Sequence, residues 1–165
     1  MNIIVEISNK SDKWKSYLAI NEQFFIKSVR ETLIEQLNFQ NIIEVELSIL
    51  LTEDTQMQEL NKEFRGKDKA TNVLSFPDFE DEDSTPIEFI ANKDYIYLGD
   101  IAFGFEVIKF EAEQENISFL DHMRHLTIHA ILHLIGYDHK TEHEAEIMES
   151  IEITILQQFN IKSPY

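Results

Sequence analysis

Cysteine is absent from this chain of 165 residues, which excludes disulfide bonds and thiolate metal ligands and leaves the redox compartment undecided. Long hydrophobic runs are also absent, because no stretch approaches the roughly 18 consecutive apolar residues of a membrane-spanning helix. The segment Met1–Ile7 lacks the basic region of a signal peptide. We therefore expect a cytoplasmic protein that does not associate with membranes.

Basic residues are scarce, since 14 lysines and arginines face 31 aspartates and glutamates, a net charge of −17. Binding to nucleic-acid phosphates needs lysine and arginine, so this protein is not expected to bind polyanions over its whole surface. Four basic residues nevertheless lie within eight positions, namely Lys62, Arg65, Lys67 and Lys69. This basic segment predicts either a local contact with a short stretch of nucleic-acid phosphates or a solvated loop, and the sequence leaves both open.

The overall composition is that of a globular protein, with 43% hydrophobic and 27% charged residues. A length of 165 residues suffices for one ordinary domain with a sizeable core. The chain shows no internal repeat and no linker that would divide it. We expect a single domain over residues 1–165.

Hydrophobic periodicity predicts four strands, over residues 1–9, 43–51, 71–76 and 95–103. It also predicts helices over residues 14–37, 105–114, 119–135 and 141–159, and a short helix opened by residues 52–54 and stopped by Gly66. The predicted inner faces of the first two helices comprise Leu18, Phe25, Val29, Leu33 and Leu37, and then Met57, Leu60 and Phe64. Residues 78–94 predict a solvated acidic loop. This irregular order of elements indicates an α+β fold, with one mixed sheet of about four strands and about five helices packed largely on one face.

Three histidines have the spacing of a metal site in the segment His129-Ala-Ile-Leu-His133-Leu-Ile-Gly136-Tyr-Asp-His139. Residues four apart on a helix lie on the same face, so His129 and His133 can bind one ion. Gly136 can turn the chain back at the helix end, which lets His139 supply a third ligand. Three nitrogen ligands leave a fourth position for water, the arrangement of a catalytic rather than a structural zinc.

Other polar residues near this motif are candidates for supporting roles. All six histidines of the chain fall between positions 122 and 143. His125 could be a fourth ligand or a group that hydrogen-bonds a ligand, whereas His122 and His143 are expected at the solvated surface. Asp138 is expected to orient a histidine ring. Asp100 could serve in the cleft or act as a structural hydrogen-bonding group, and both interpretations stay open.

Ala130 separates this motif from that of zinc proteases with the same histidine spacing. Those enzymes carry a glutamate directly after the first histidine, and it removes a proton from the metal-bound water. The methyl group of Ala130 accepts no proton. The sequence therefore keeps the metal geometry and loses the base of peptide hydrolysis.

The chain resembles, nearly end to end, the YbeY family of bacterial endoribonucleases and rRNA maturation factors. The most specific segments are Arg65-Gly-Lys-Asp-Lys-Ala-Thr-Asn-Val-Leu-Ser-Phe-Pro77, Leu98-Gly-Asp-Ile101 and the histidine motif that ends Gly-Tyr-Asp-His139. The resemblance implies a metal-dependent, usually zinc-binding protein that acts on RNA in ribosome maturation and quality control. It implies one zinc per chain on His129, His133 and His139, with Arg65 as the functional arginine. Ala70 departs from the family, where proline is expected in many members.

The implied reaction is cleavage of a phosphodiester bond in single-stranded RNA. A metal ion would polarise the phosphate, and the planar fork of Arg65 would hold two of its oxygens. The attacking group, either water or the RNA 2′-hydroxyl, stays open, and no general base is evident. A ribosomal or GTPase protein is expected to position the RNA. Two alternatives remain, a non-catalytic ribosome-associated assembly factor with structural zinc and a metalloprotease-like hydrolase.

Overall fold

Four strands form one mixed sheet in a computed structural model of the protein, which describes residues 1–36, 42–78 and 93–165. The strands are β1 (Asn2–Asn9), β2 (Glu44–Thr52), β3 (Val73–Pro77) and β4 (Tyr95–Gly104). Their order across the sheet is β1-β2-β4-β3. The first three strands in this order are parallel, and β3 lies antiparallel to β4 at one edge.

Five helices accompany the sheet among the described residues. They are α1 (Glu22–Gln36), α2 (Asp54–Arg65), α3 (Phe105–Glu115), α4 (Phe119–Leu134) and α5 (Glu142–Gln158). The side chain of Ser118 accepts a hydrogen bond from the backbone of Asp121 at the start of α4, and Thr141 and Glu144 form a capping box at the start of α5. None of the described helices is long and apolar enough to cross a membrane.

The alternation of side chains along the strands decides where the core lies. Val45, Leu47 and Ile49 of β2 are buried on one face, where they join the main core with α1, α4 and α5. The opposite face carries a smaller cluster, formed by Met57 of α2 with neighbours on β3 and β4. The expected α+β fold, with one mixed sheet and helices largely on one face, is confirmed.

The first helix was predicted too long at its amino end. It begins at Glu22, because the side chain of Asn21 accepts a hydrogen bond from the backbone of Phe24 and ends the irregular segment there. Trp14 instead lies in a short 3₁₀ helix, where it is buried and donates its indole N–H to the carbonyl of Thr52. Leu18, predicted as a core residue, is 84% exposed, because the helical period does not extend to it. Leu37 lies outside the described residues.

Two further apolar residues lie outside the core. Phe64 was predicted on the inner face of α2 but is 57% exposed, because α2 ends near the edge strand, where its ring meets that of Phe76 edge to face. Ile43 precedes β2 and is exposed. The predicted acidic loop falls largely on residues 79–92, which lie outside the described residues.

A bulge in β4 explains the glycine of the Leu98-Gly-Asp-Ile101 segment. The pairing of β2 with β4 shifts by one residue between Glu46 and Ser48. Gly99 lies at the bulge with a φ of +129°, and a Cβ there would lie 2.1 Å from the carbonyl oxygen of Phe76. Glycine is therefore required for β3 and β4 to pair at this point.

Candidate metal centre

His129, His133 and His139 converge at the carboxyl end of α4. The first two occupy its last turns, and the helix is followed by Gly136, whose φ of +104° turns the chain back toward the helix. One ligand atom from each of the three rings lies within 4.8 Å of the others. The predicted ligand set is thus brought together, and this cluster could bind a metal ion.

The hydrogen bonds of the two helical rings determine which nitrogens face the centre. Nδ1 of His129 donates to Oε1 of Glu152 over 2.6 Å, and Nδ1 of His133 donates to the carbonyl oxygen of Tyr137 over 2.9 Å. Each Nε2 is then left with a lone pair, and the two Nε2 atoms lie 3.1 Å apart. Two lone pairs at this distance repel unless a cation lies between them. A tetrahedral ion with Zn–N bonds of about 2.05 Å would separate its ligands by about 3.3 Å, so the donor set fits such an ion.

The environment keeps His133 in the form that binds metals. Burial, reinforced by the neighbouring ring of His129, lowers the pKa of His133 to about 4. The ring is therefore neutral near neutral pH, and no proton competes with a metal ion for its Nε2 atom.

Glu152 of α5 is the residue of this centre that sequence reasoning missed. Its side chain is fully buried, and besides His129 it accepts hydrogen bonds at Oε2 from His125 and from the hydroxyl of Tyr165. Burial raises the pKa of the Glu152 carboxyl, but the hydrogen bonds from His125 and His129 outweigh it and hold this pKa at about 2. A signal was present, because Glu152 lies four residues after the buried Met148 on the apolar face of α5.

The other histidines divide between the interior and the surface. His125 lies outside the converging set and hydrogen-bonds Glu152 over 2.7 Å. The prediction that His122 is solvated is wrong, because its ring is buried and lies 2.7 Å from a carboxylate oxygen of Glu111 on α3. The periodicity of α4 alone gives no sign of this partner. His143 is exposed, as expected.

Asp138 supports the turn that carries His139. Its Oδ1 accepts a hydrogen bond from the backbone N–H of His139 over 2.8 Å, and its Oδ2 lies 3.3 Å from Nζ of Lys140. The hydrogen bonds that orient the rings of His129 and His133 come instead from Glu152 and from the Tyr137 backbone.

The side chain of Arg65 reaches the edge strand β3, which packs beside α4, the helix that carries His129 and His133. It is the last residue of α2, after which Gly66 takes a left-handed conformation. Residues 72 and 78 make backbone bonds to β4, so by alternation the carbonyl of Ser75 faces the open edge. Nη2 of Arg65 donates to that carbonyl over 3.2 Å. Because α4 also packs against β3, Arg65 and α4 border the same strand.

The lysines of the basic segment differ in their contacts. Lys62 lies 3.4 Å from Asp68, which also accepts a hydrogen bond from Gln58. Lys67 and Lys69 are exposed and form no ion pair with any residue that the structure describes. The turn itself is ordered by the side chain of Asn61, which donates to the carbonyl of Lys69.

Asp100 lies on the other face of the sheet from the histidines. Its neighbour Ile101 is buried in the main core, so alternation directs Asp100 to the face that carries α2. There it accepts a hydrogen bond from the hydroxyl of Tyr97 and borders a largely apolar groove of about 460 Å³ with Leu60 and Phe76. The structure does not bring Asp100 together with the metal ligands.

Comparison with known proteins places these features in a family. The family model described as Endoribonuclease YbeY matches residues 6–160. The curated "Endoribonuclease YbeY" of Bartonella henselae is 39% identical over 167 residues, which cover 99% of this chain and 97% of that protein. A solution structure of a protein from Thermotoga maritima shares the fold, with a TM-score of 0.52, 23% identity, and coverage of 97% of this chain and 92% of that one.

Proposed function

Because this chain belongs to the endoribonuclease YbeY family, we propose that it is a zinc-dependent endoribonuclease that cuts single-stranded RNA in rRNA maturation and ribosome quality control. The observation that carries this proposal is the convergence of His129, His133 and His139, with the Nε2 atoms of the first two only 3.1 Å apart. The proposed location is the cytoplasm, where this RNA is made, and the whole of residues 1–165 is proposed to act as one domain.

The three histidines are proposed to hold one zinc ion per chain. Imidazole nitrogens suit zinc, and three neutral ligands leave the double charge of the ion uncompensated. Bound there, zinc supplies Lewis-acid chemistry that polarises a phosphoryl oxygen. The turn through Gly136 and the hydrogen bonds of Glu152 and Tyr137 orient the ligands before the ion arrives.

Arg65 is proposed to hold the phosphate that is cut. One of its terminal nitrogens donates a hydrogen bond to the carbonyl of Ser75, which limits the movement of the guanidinium. The remaining N–H groups can donate to two oxygens of a phosphate, where negative charge grows during cleavage. The edge strand β3, which carries Ser75, packs against α4, which carries His129 and His133. This packing supports a site that Arg65 shares with the metal ligands.

Lys67 and Lys69 are proposed to contact phosphates beside the cut bond. Their charges are not paired within the described residues, whereas Lys62 lies beside Asp68. Two lysines and one arginine can neutralise only a few phosphates of an RNA that the rest of the acidic surface repels. A ribosomal or GTPase protein partner is therefore proposed to position the substrate.

Peptide hydrolysis is disfavoured by the surroundings of Ala130. This residue is fully buried in the main core. The position that carries the catalytic glutamate in zinc proteases with the same histidine spacing therefore offers no carboxylate here. Glu152 does not replace it, because both of its oxygens are occupied by hydrogen bonds deep in the protein.

The deciding experiment compares RNA and peptide substrates with the same zinc-loaded preparation. We expect slow cleavage of unstructured RNA, loss of that activity with a chelator, and no cleavage of casein. Products that end in a 2′,3′-cyclic phosphate would indicate attack by the RNA 2′-hydroxyl, whereas 3′-hydroxyl and 5′-phosphate ends would indicate water. Peptide cleavage without RNA cleavage would refute the proposal. Neither activity, together with co-sedimentation with ribosomal subunits, would favour the non-catalytic assembly factor.

A further inference from the structure

Glu152 is a buried carboxylate, and both of its oxygens accept hydrogen bonds. Its side chain is about 1% exposed, and it lies on the face of α5 that packs against α4. A charge in this position is tolerated only when hydrogen bonds replace the lost water. His129 provides one of them at Oε1, and His125 and Tyr165 provide two more at Oε2.

The division of these bonds between the two oxygens restricts the rotation of the carboxylate. Oε2 is held by the ring of His125 from α4 and by the hydroxyl of Tyr165 from the segment after α5. With Oε2 fixed by two donors, Oε1 has one direction left, and it points to Nδ1 of His129. The ring plane of His129, and the direction of its Nε2 lone pair, follow from this arrangement.

We propose that Glu152 and Tyr165 are positioning residues for His129, so that the segment after α5 is part of the metal site. The inference rests on the proposed function only in taking His129 as a metal ligand. Glu152 contacts the ring on the side opposite Nε2 and is buried, so it does not touch RNA. Tyr165 acts one step further away, through the carboxylate. Groups of this kind usually alter metal affinity by 10- to 100-fold.

The position of the Tyr165 ring supports this assignment. The ring meets that of His125 edge to face, with centroids 5.6 Å apart. It also borders a cavity of about 200 Å³ that is lined by His129, His139 and Glu152. Burial and the hydrogen bond to Glu152 raise the pKa of the Tyr165 hydroxyl, so it stays protonated and remains a donor.

A purely structural role is the competing interpretation. Glu152 links α4 to α5, and removing that link could change the stability of the fold while leaving the metal site intact. The two roles differ in their effect on bound metal. Removing a purely structural contact would lower the thermal stability alone. Removing a positioning group would change the affinity and the ligand field of the ion in protein that is fully folded.

The test titrates Co²⁺ into the metal-free protein and records the visible d–d spectrum together with thermal unfolding. The variants are Glu152→Leu, Glu152→Gln and Tyr165→Phe, with Tyr95→Phe as a matched control. Tyr95 also donates its hydroxyl to a carboxylate, that of Glu46, but at the exposed end of the sheet. Glu152→Leu should weaken Co²⁺ binding by roughly 10- to 100-fold and change the spectrum. Glu152→Gln keeps an acceptor for Nδ1 and should recover part of this loss.

Tyr165→Phe should weaken binding less than Glu152→Leu but shift the spectrum in the same direction, and Tyr95→Phe should match the wild type. If Glu152→Leu does not fold, the two isosteric variants still decide the question. Folded variants of both residues that bind Co²⁺ with wild-type affinity and spectrum would overturn the positioning role. Failure of the wild type to bind any metal would instead refute the zinc site of the proposed function, a result that is distinct because it precedes any substitution.

Discussion

The Nε2 atoms of His129 and His133 lie 3.1 Å apart, although each ring carries its proton on the far side of the imidazole. In an isolated helix, the two side chains would rotate independently and their lone pairs would avoid each other. Packing against α5 and the turn after α4 prevents this. The folded protein therefore holds two repelling lone pairs in place, and a bound cation relieves that repulsion.

The first prediction concerns metal content. Purified wild-type protein should hold about one zinc per chain, and His133→Ala should lose most of it because one ligand is removed. Zinc should raise the melting temperature of the wild type, since it binds the folded state, and not that of the variant. His143→Ala is the control, because His143 is exposed on α5. Elemental analysis that finds unchanged zinc in all three single-ligand variants would exclude this site.

A second prediction tests whether the reaction needs the paired N–H donors of the planar Arg65 guanidinium. Arg65→Lys keeps the charge but loses the planar pair of donors, so RNA cleavage should fall by roughly 100-fold. Zinc content and thermal unfolding should stay near those of the wild type, because the residue is exposed at the end of α2. The control is Arg30→Lys on the exposed side of α1. Equal initial rates for the wild type and Arg65→Ala would remove this arginine from the reaction.

A third prediction concerns the salt dependence of RNA binding. If Lys67 and Lys69 each contact one phosphate, the double alanine variant should reduce the slope of log K against log salt by about 1.4. The double variant Lys10→Ala and Lys27→Ala makes the same change in net charge at exposed positions outside the basic segment. Fluorescence anisotropy with labelled single-stranded RNA measures both. Identical slopes for the two double variants would show that only net charge matters.

A fourth prediction compares two glycines that both have positive φ. Gly99→Ala should destabilise the fold by roughly 3 kcal/mol or more, because its Cβ would meet the carbonyl oxygen of Phe76 in an unfavourable backbone conformation. Gly66→Ala has open space around its Cβ, and its left-handed conformation should cost only about 1 kcal/mol. Urea unfolding measures both values. Equal losses would mean that the β3–β4 pairing adapts to the extra methyl group.

The fifth prediction concerns stability in acid. Burial raises the pKa of the Glu111 carboxyl, but hydrogen bonds from His122 and Asn72 outweigh it and leave the pKa below its ordinary value of 4.5. A carboxyl with a lowered pKa stabilises the fold above about pH 4.5, and this contribution disappears as the pH falls through the lowered value. Glu111→Gln should therefore lose less stability than the wild type between about pH 5.5 and about pH 3.5.

Urea unfolding of chelator-treated protein at the two pH values measures the effect, with Glu59→Gln as the control because Glu59 is exposed on α2. A Glu111→Gln variant that loses as much stability as the wild type would show that this carboxyl does not contribute to the acid response.

Local sequence patterns predicted the elements well, because strand and helix periods depend on residues close together in the chain. The same reasoning failed where the chain is irregular. Leu18 has helical spacing to the core positions of α1, yet the Asn21 cap starts the helix after it. Phe64 continues the apolar face of α2, yet its ring lies against Phe76 of the edge strand β3 and stays 57% exposed.

The sequence by itself determined the spacing of His129 and His133, since one helical turn places them together, and the glycine turn that returns His139 to them. Only the tertiary structure decided which groups surround them. Glu152 is 23 residues from His129, and the local sequence of neither helix predicts that these two side chains face each other. The burial of His122 and the contact of Arg65 with Ser75 were decided in the same way. The physical reason is that a polar side chain is stable in the interior only beside its partner, and that partner comes from the packing of distant elements.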